Sequence, residues 1–110
     1  MAHSLDKAKW ESYFDTMAKY LGANLVEIEV ASMEIGDQIE AEWVSLIGIS
    51  YDPKDDIVDV AVEGIDHLIH QPTEIVLEDA VDGIKWLEIT DKDGVRQIIK
   101  FRKPLILPAS

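Results

Sequence analysis

The sequence predicts an α+β domain: one N-terminal helix packed on a curled, mainly antiparallel sheet of five or six strands. Three observations predict it. Trp10, Tyr13, Phe14, Met17, Tyr20 and Leu21 recur at helical spacing and form one apolar face. The stretch Gln38–Tyr51 alternates apolar and polar residues, the mark of a half-buried strand. At ~3.3 Å per residue it would run about 46 Å, too far for a domain whose radius of gyration is near 13 Å, so the sheet must curl. Two pairs of alternating stretches meet across turn-forming residues, at Asp52–Asp56 and at Asp91–Gly94. A small Sm-like barrel, which also begins with a helix, is the alternative by analogy alone.

The elements follow in order. Ser4 suits a helix N-cap, the helix is expected over Leu5–Leu21, and Gly22 suits the position past its end. Its aromatic stripe is read as core rather than as a platform for a cofactor or a sugar. Asn24–Ser32 alternates, with Val26, Ile28 and Val30 opposite Glu27 and Glu29. Glu34–Asp37 is a turn. In Gln38–Tyr51 the later residues Val44 and Leu46 make both parities apolar, which predicts a strand end buried on both faces, with Gly48 as a kink. Ile57–Glu63 returns as a strand, with Ile49 expected opposite Val58 and Ile47 opposite Val60. Ile65–His70 reads as a single helical turn or tight loop stopped by Pro72, Thr73–Glu78 as a short strand and Asp79–Gly83 as a loop. Ile84–Thr90 and Val95–Arg102 form the last hairpin, with Gly94 left-handed and with Leu87–Ile99, Trp86–Lys100 and Glu88–Ile98 as cross-strand pairs. Lys103–Pro108 is an extended apolar tail. The expected core is Trp10, Phe14, Met17, Leu21, Val26, Ile28, Val30, Trp43, Ile47, Ile49, Val58, Val60, Val62, Leu87, Ile89, Ile99 and Phe101.

Length and composition narrow the function. The 110 residues fit one domain, residues 1–110, and 47% hydrophobic with 29% charged content is a globular balance. No apolar run approaches the ~20 residues of a membrane helix, and the N-terminus lacks a signal-peptide core. The absence of cysteine rules out disulfides and thiolate chemistry, and a cytoplasmic location is the default expectation. Net charge is −12 and uneven: residues 23–94 hold 19 acids against three lysines, while residues 95–110 hold four cations and no acid. So negative a field repels phosphate backbones, so neither nucleic acid nor membrane is expected as a partner.

Several segments together carry a resemblance: W-E-S-Y-F in the first helix, V-E-I-E-V, G-D-Q-I-E-A-E-W-V-S-L-I-G-I-S-Y-D-P, E-G-I-D-H-L-I and R-Q-I-I-K-F. Over nearly its whole length the chain resembles a family of small, single-domain prokaryotic proteins of uncharacterised function. The resemblance implies no activity, substrate, cofactor or catalytic residue.

The residues themselves offer few chemical motifs. His67 and His70 at i, i+3, next to Asp66, would face one metal ion if they shared a helical turn, but three ligands are few and only His3 remains. Asp52, Asp55, Asp56 and Asp59 cluster around the first hairpin, where turn chemistry accounts for them better than a cation does. Asp91-Lys92-Asp93-Gly94 begins like an EF-hand loop, but Arg102 stands where its glutamate belongs. Ser45 and Ser50 have no nucleophile signature around them. No cofactor and no catalytic residue is expected. The one basic surface would be the outer face of the last hairpin: Trp86, Arg96, Ile98, Lys100 and Arg102. It either pairs within the monomer, against Glu27 and Glu29, or binds a second acidic chain as a homodimer; the internal pairing is preferred. A Trp–Lys cation–π contact fits both. Two function classes follow: a non-catalytic interaction module, engaging a protein partner or itself through its acidic surface or a sheet edge, and, as the alternative, a small hydrolase or isomerase using carboxylates or His67 and His70 in a cleft of the curled sheet.

Overall fold

The structure, a computed structural model, describes residues 2–108. Trp10, Phe14 and Met17 share one helical face, and α1 (Trp10–Ala18) buries all three; a 3₁₀ turn at Lys7–Lys9 leads into it. The helix is shorter than Leu5–Leu21. At its start, Ala2–Ser4 forms a short strand, β1, so Ser4 is not a cap; Leu5 N–H donates to the Ile75 carbonyl at 2.8 Å. At its end, Lys19 and Tyr20 donate to carbonyls three residues back, which tightens the last turn, and Tyr20 is exposed. No helix among the described residues is long and apolar enough to cross a membrane.

The remaining strands are β2 (Leu25–Ser32), β3 (Gly36–Asp52), β4 (Ile57–Val62), β5 (Ile65–His70), β6 (Pro72–Ala80), β7 (Gly83–Asp91) and β8 (Arg96–Leu105). They make one antiparallel sheet in the order β1-β6-β7-β8-β2-β3-β4-β5. There are eight strands rather than five or six; β1 and β5 are the additions, and they are the two edges. This is a larger sheet than an Sm-like barrel. The sheet curls far enough for a single residue, Gln71 in a left-handed conformation (φ 52°), to join β5 at one edge to β6 near the other. The concave face and α1 together hold the core.

The curl originates in β3. Its register with β2 gains two residues between Ile39 and Val44, and its register with β4 gains one at Ile47. The β2 gain falls in two single-residue shifts, on either side of Ala41, and each extra residue reverses which parity faces inward. Ala41 packs on the core, then Val44 and Leu46 do, then Ile49 and Tyr51. The apolar residues on both parities therefore record a change of face, not burial on both faces. Trp43 takes a left-handed conformation (φ 49°) in the first bulge and is 37% exposed; Ile47, in the second, is 65% exposed. Both were expected in the core, as was Val30, which is half-buried. The register with β4 is also two residues from the expected one: Ile49 faces Val60, Tyr51 faces Val58, and Asp52 opposite Ile57 closes a four-residue turn. The same faces meet, and Tyr51 joins the core, edge-on to Trp10 with ring centres 5.1 Å apart. In the last hairpin all three expected pairs are present, and Gly94 has φ 79°.

Ile49→Ala should lower the unfolding free energy by about 2–5 kcal/mol, because it leaves a cavity in the core. Ile47→Ala, two residues away but outside the core, should change it by no more than about 0.5 kcal/mol. Urea unfolding of both variants measures this; equal costs would mean that the second bulge is misplaced.

Candidate functional site

The basic strand β8 runs between β7 and β2, and Arg96, Ile98 and Lys100 face the convex side, while Gln97, Ile99 and Phe101 face the core. Across it, Lys100 stands opposite Glu27 on β2 and Trp86 on β7. Lys100 Nζ donates to Glu29 Oε1 at 3.0 Å and lies 3.6 Å from Glu27 Oε1. The two glutamates are largely buried, while Lys100 is about half exposed. The hydrogen bond to Glu29 holds Lys100 above the usual lysine range, and the same bond is the first cause that holds Glu29 below the usual carboxylate range. Asp37, sharing a hydrogen bond with Glu29, is pushed up. Arg96 Nη1 lies 3.8 Å from Glu88 Oε2. Ile98 stands opposite both Glu29 and Glu88 and is half-buried. Two of the four cations are therefore spent inside the monomer, in the manner of the internal pairing. Arg102 is different: its guanidinium lies over the Trp43 ring at 5.8 Å, a cation–π contact with an arginine in place of the Trp–Lys contact expected.

The second candidate lies on β5. Ile65–His70 is a strand, not a helical turn, because Glu63-Gly64, with Gly64 at φ 98°, turns the chain so that Val62 faces Ile65 and β5 pairs along all of β4. On a strand, His67 and His70 fall on opposite faces. Asp66 and His70 point to the convex side and His67 to the concave side, so the three do not converge on one ion. Among the described residues no group of three or more such ligands does so.

The strand instead brings together groups that the sequence kept apart. Asp59 on β4 sits between Ser50 on β3 and Leu68 on β5, with Asp66 at a diagonal position. Burial pushes the Asp59 carboxyl up, and the charge and hydrogen bonding of Asp66 push it further. Asp59 Oδ1 is buried with no hydrogen-bond partner. On the other face, burial pushes His67 down, with Glu40 acting in the opposite sense, and His67 Nε2 is likewise buried and unpartnered. Only the register of β4 with β5 could have revealed this pairing. The concave face is filled by apolar side chains; among the described residues Gln97 is the one buried polar side chain, and it donates to the Ile89 and Val95 carbonyls. Glu27, Glu29, Glu88, Asp59 and Asp66 stand on the convex side.

Lys100→Glu should destabilise the protein by roughly 1 kcal/mol at pH 7, the scale of two partly exposed pairs. Glu29 titrates below its unfolded value, so its contribution is present above the ordinary glutamate range and is lost as pH falls through the folded pKa. Thermal melts should show the gap from wild type narrowing in acid; a constant gap would place the effect elsewhere. Asp59 has the opposite sign. Its raised folded pKa makes the ionised form a burden at pH 7 that is relieved as pH falls through that raised value toward the ordinary ~3.9. Asp59→Asn should raise the urea midpoint at pH 7 and lose that acid-side gain.

Comparison with known proteins adds lineage. An uncharacterised protein of Aquifex aeolicus (strain VF5) is 43% identical over 106 residues, covering 96% of each chain. No solved structure matches. A family model described as a family of unknown function, DUF5335, matches residues 1–110, and the chain belongs to that family.

Proposed function

We propose that the protein is a non-catalytic interaction module that adds a basic strand from a partner protein to the open edge of β5. The observation that carries this reading is the edge itself. Four of the six β5 residues are exposed, including Ile65 and Leu68, and the strand has a ladder partner on one side only. Natural edge strands are commonly blunted by charge, above all lysine, by proline or by a bulge; β5 has no lysine, proline or bulge, and its one carboxylate is Asp66. The other edge, β1, is three residues long.

An added strand gains main-chain hydrogen bonds from the edge and specificity from alternate side chains. Here the alternate positions on the convex side are Asp66, Leu68 and His70, with Asp59 behind the first two. A lysine or arginine from the partner would meet the Asp59–Asp66 carboxylates and lay its aliphatic stem over Leu68, and its apolar neighbours would cover Ile65 on the other face. The two unpartnered buried atoms, Asp59 Oδ1 and His67 Nε2, both lie at this edge. A second copy of the chain fits less well, because it would set carboxylates against carboxylates. The acidic field speeds encounter with a basic partner and repels nucleic acid.

The test is a titration followed by backbone NMR, with two peptides that alternate valine with lysine or with glutamate. The lysine peptide should shift the β5 amides and saturate, more weakly as salt rises; Asp66→Lys should weaken it by about tenfold or more. Equal binding of the two peptides, or shifts that avoid β5, would reject the reading.

A further inference from the structure

We propose that an open recess between the start of β2 and the end of β8 binds a small organic carboxylate with an apolar body. The recess holds about 410 Å³ and is lined by Leu21, Ala23, Asn24, Leu25, Arg102 and Lys103. That volume is within the ~300–1,000 Å³ of small-molecule sites. Its composition runs against the rest of the domain: two adjacent cations and no acid, on a chain of net charge −12. Lys100 and Arg96 are engaged with glutamates, but among the described residues neither Arg102 nor Lys103 has a carboxylate partner.

The backbone is shaped to present these two side chains. Between Lys100 and Leu105, β8 carries three more residues than β7 has between Trp86 and Ile84, so Arg102, Lys103 and Pro104 bulge out of the ladder. Bulges of this kind re-aim side chains. Asn24 Nδ2 donates to the Lys103 carbonyl at 3.1 Å and ties the bulge to the β2 end. Trp43, the ring beneath the Arg102 guanidinium, is itself held left-handed at φ 49°, a conformation that a bulky residue rarely adopts and that tends to gather at binding sites. The ring limits the wandering of the guanidinium, whose planar fork matches a carboxylate through two parallel hydrogen bonds.

The ligand class follows from the lining and the field. Leu21, Ala23 and Leu25 supply an apolar floor for an aliphatic or aromatic body. The two cations supply the anchor for one negative charge. A multiply charged anion such as phosphate would be repelled more strongly by the surrounding acids and would leave the apolar floor uncovered.

The experiment titrates the protein with hexanoate, with acetate and inorganic phosphate as controls, and follows backbone and indole NMR signals. Hexanoate should shift the amides of residues 21–25 and 102–103 and the Trp43 indole N–H, and should saturate. Acetate and phosphate should act on them at least about tenfold more weakly. Arg102→Gln should weaken hexanoate by a similar factor without changing the melting temperature, and Lys103→Gln should weaken it as a second, independent variant. Three results would overturn the proposal: no shift of these signals by hexanoate, equal effects of acetate or phosphate, which would mark a mere counterion site, or unchanged hexanoate binding in both variants.

Discussion

A strand of seventeen residues would extend about 56 Å if straight, while the longest dimension of the molecule is 38 Å. β3 therefore has to bend, and most of the architecture depends on how it does so. Its first half pairs with β2 and its second half with β4. The register shifts within these halves turn one half-sheet over the other, and the concave side becomes a core that α1 can close. Trp10 against Tyr51 fixes the helix to the far end of β3, and the Tyr51 hydroxyl donates to Asp56 Oδ1 at 2.6 Å. Burial, and then that aspartate, push the Tyr51 phenol up to about 12, so the hydroxyl keeps its proton and remains a donor at neutral pH. A flat β3 would leave α1 without a surface and β5 far from β6.

The same bend distributes the charge. The convex side receives Glu27, Glu29, Glu88, Asp59 and Asp66, and it also receives the one basic strand. Placing β8 beside β2 brings Lys100 to two glutamates that would otherwise repel each other across two residues of strand. The pairing gives little net energy at a half-exposed site. It does disfavour alternative registers: a slip of β8 by one residue would put Lys100 on the concave side among apolar residues. Charge here serves register more than stability.

Legibility in the sequence followed locality. The last hairpin was readable because Asp91 and Gly94 determine the turn: the Asp91 carboxylate accepts from the Asp93 and Val95 N–H groups, and the register follows. The core of α1 was readable because three turns of helix repeat a spacing. β5 was not, because Leu68 and Ile69 are adjacent apolar residues that break the alternation, and the histidine spacing suggested a helix. Its signal was the two-residue Glu63-Gly64 connection between Val62 and Ile65. β1 carried no pattern in three residues. The inward face of β3 was unreadable for a deeper reason: a bulge leaves no mark in composition, and it moved Trp43 and Ile47 from expected core to surface. Of the basic patch, Trp86, Arg96, Ile98, Lys100 and Arg102 do lie along β7 and β8 as expected. Their division into paired and unpaired cations needed the partner strands.

Among the described residues, two places where local rules are broken also carry buried or charged groups without a partner. A consistent fold satisfies propensity, burial and hydrogen bonding together, and departures concentrate where something other than stability is selected. At the β4–β5 end, the departures are a carboxylate pair, two unpartnered buried atoms and an edge without lysine or proline. At the β2–β8 end, they are a tryptophan in a left-handed bulge and two cations that, among the described residues, have no carboxylate partner. Both ends are set by β3, one by its second bulge and one by its first. Repairing either by simple means, a neutral residue at Asp59 or a glycine at Trp43, asks little of the rest of the sheet.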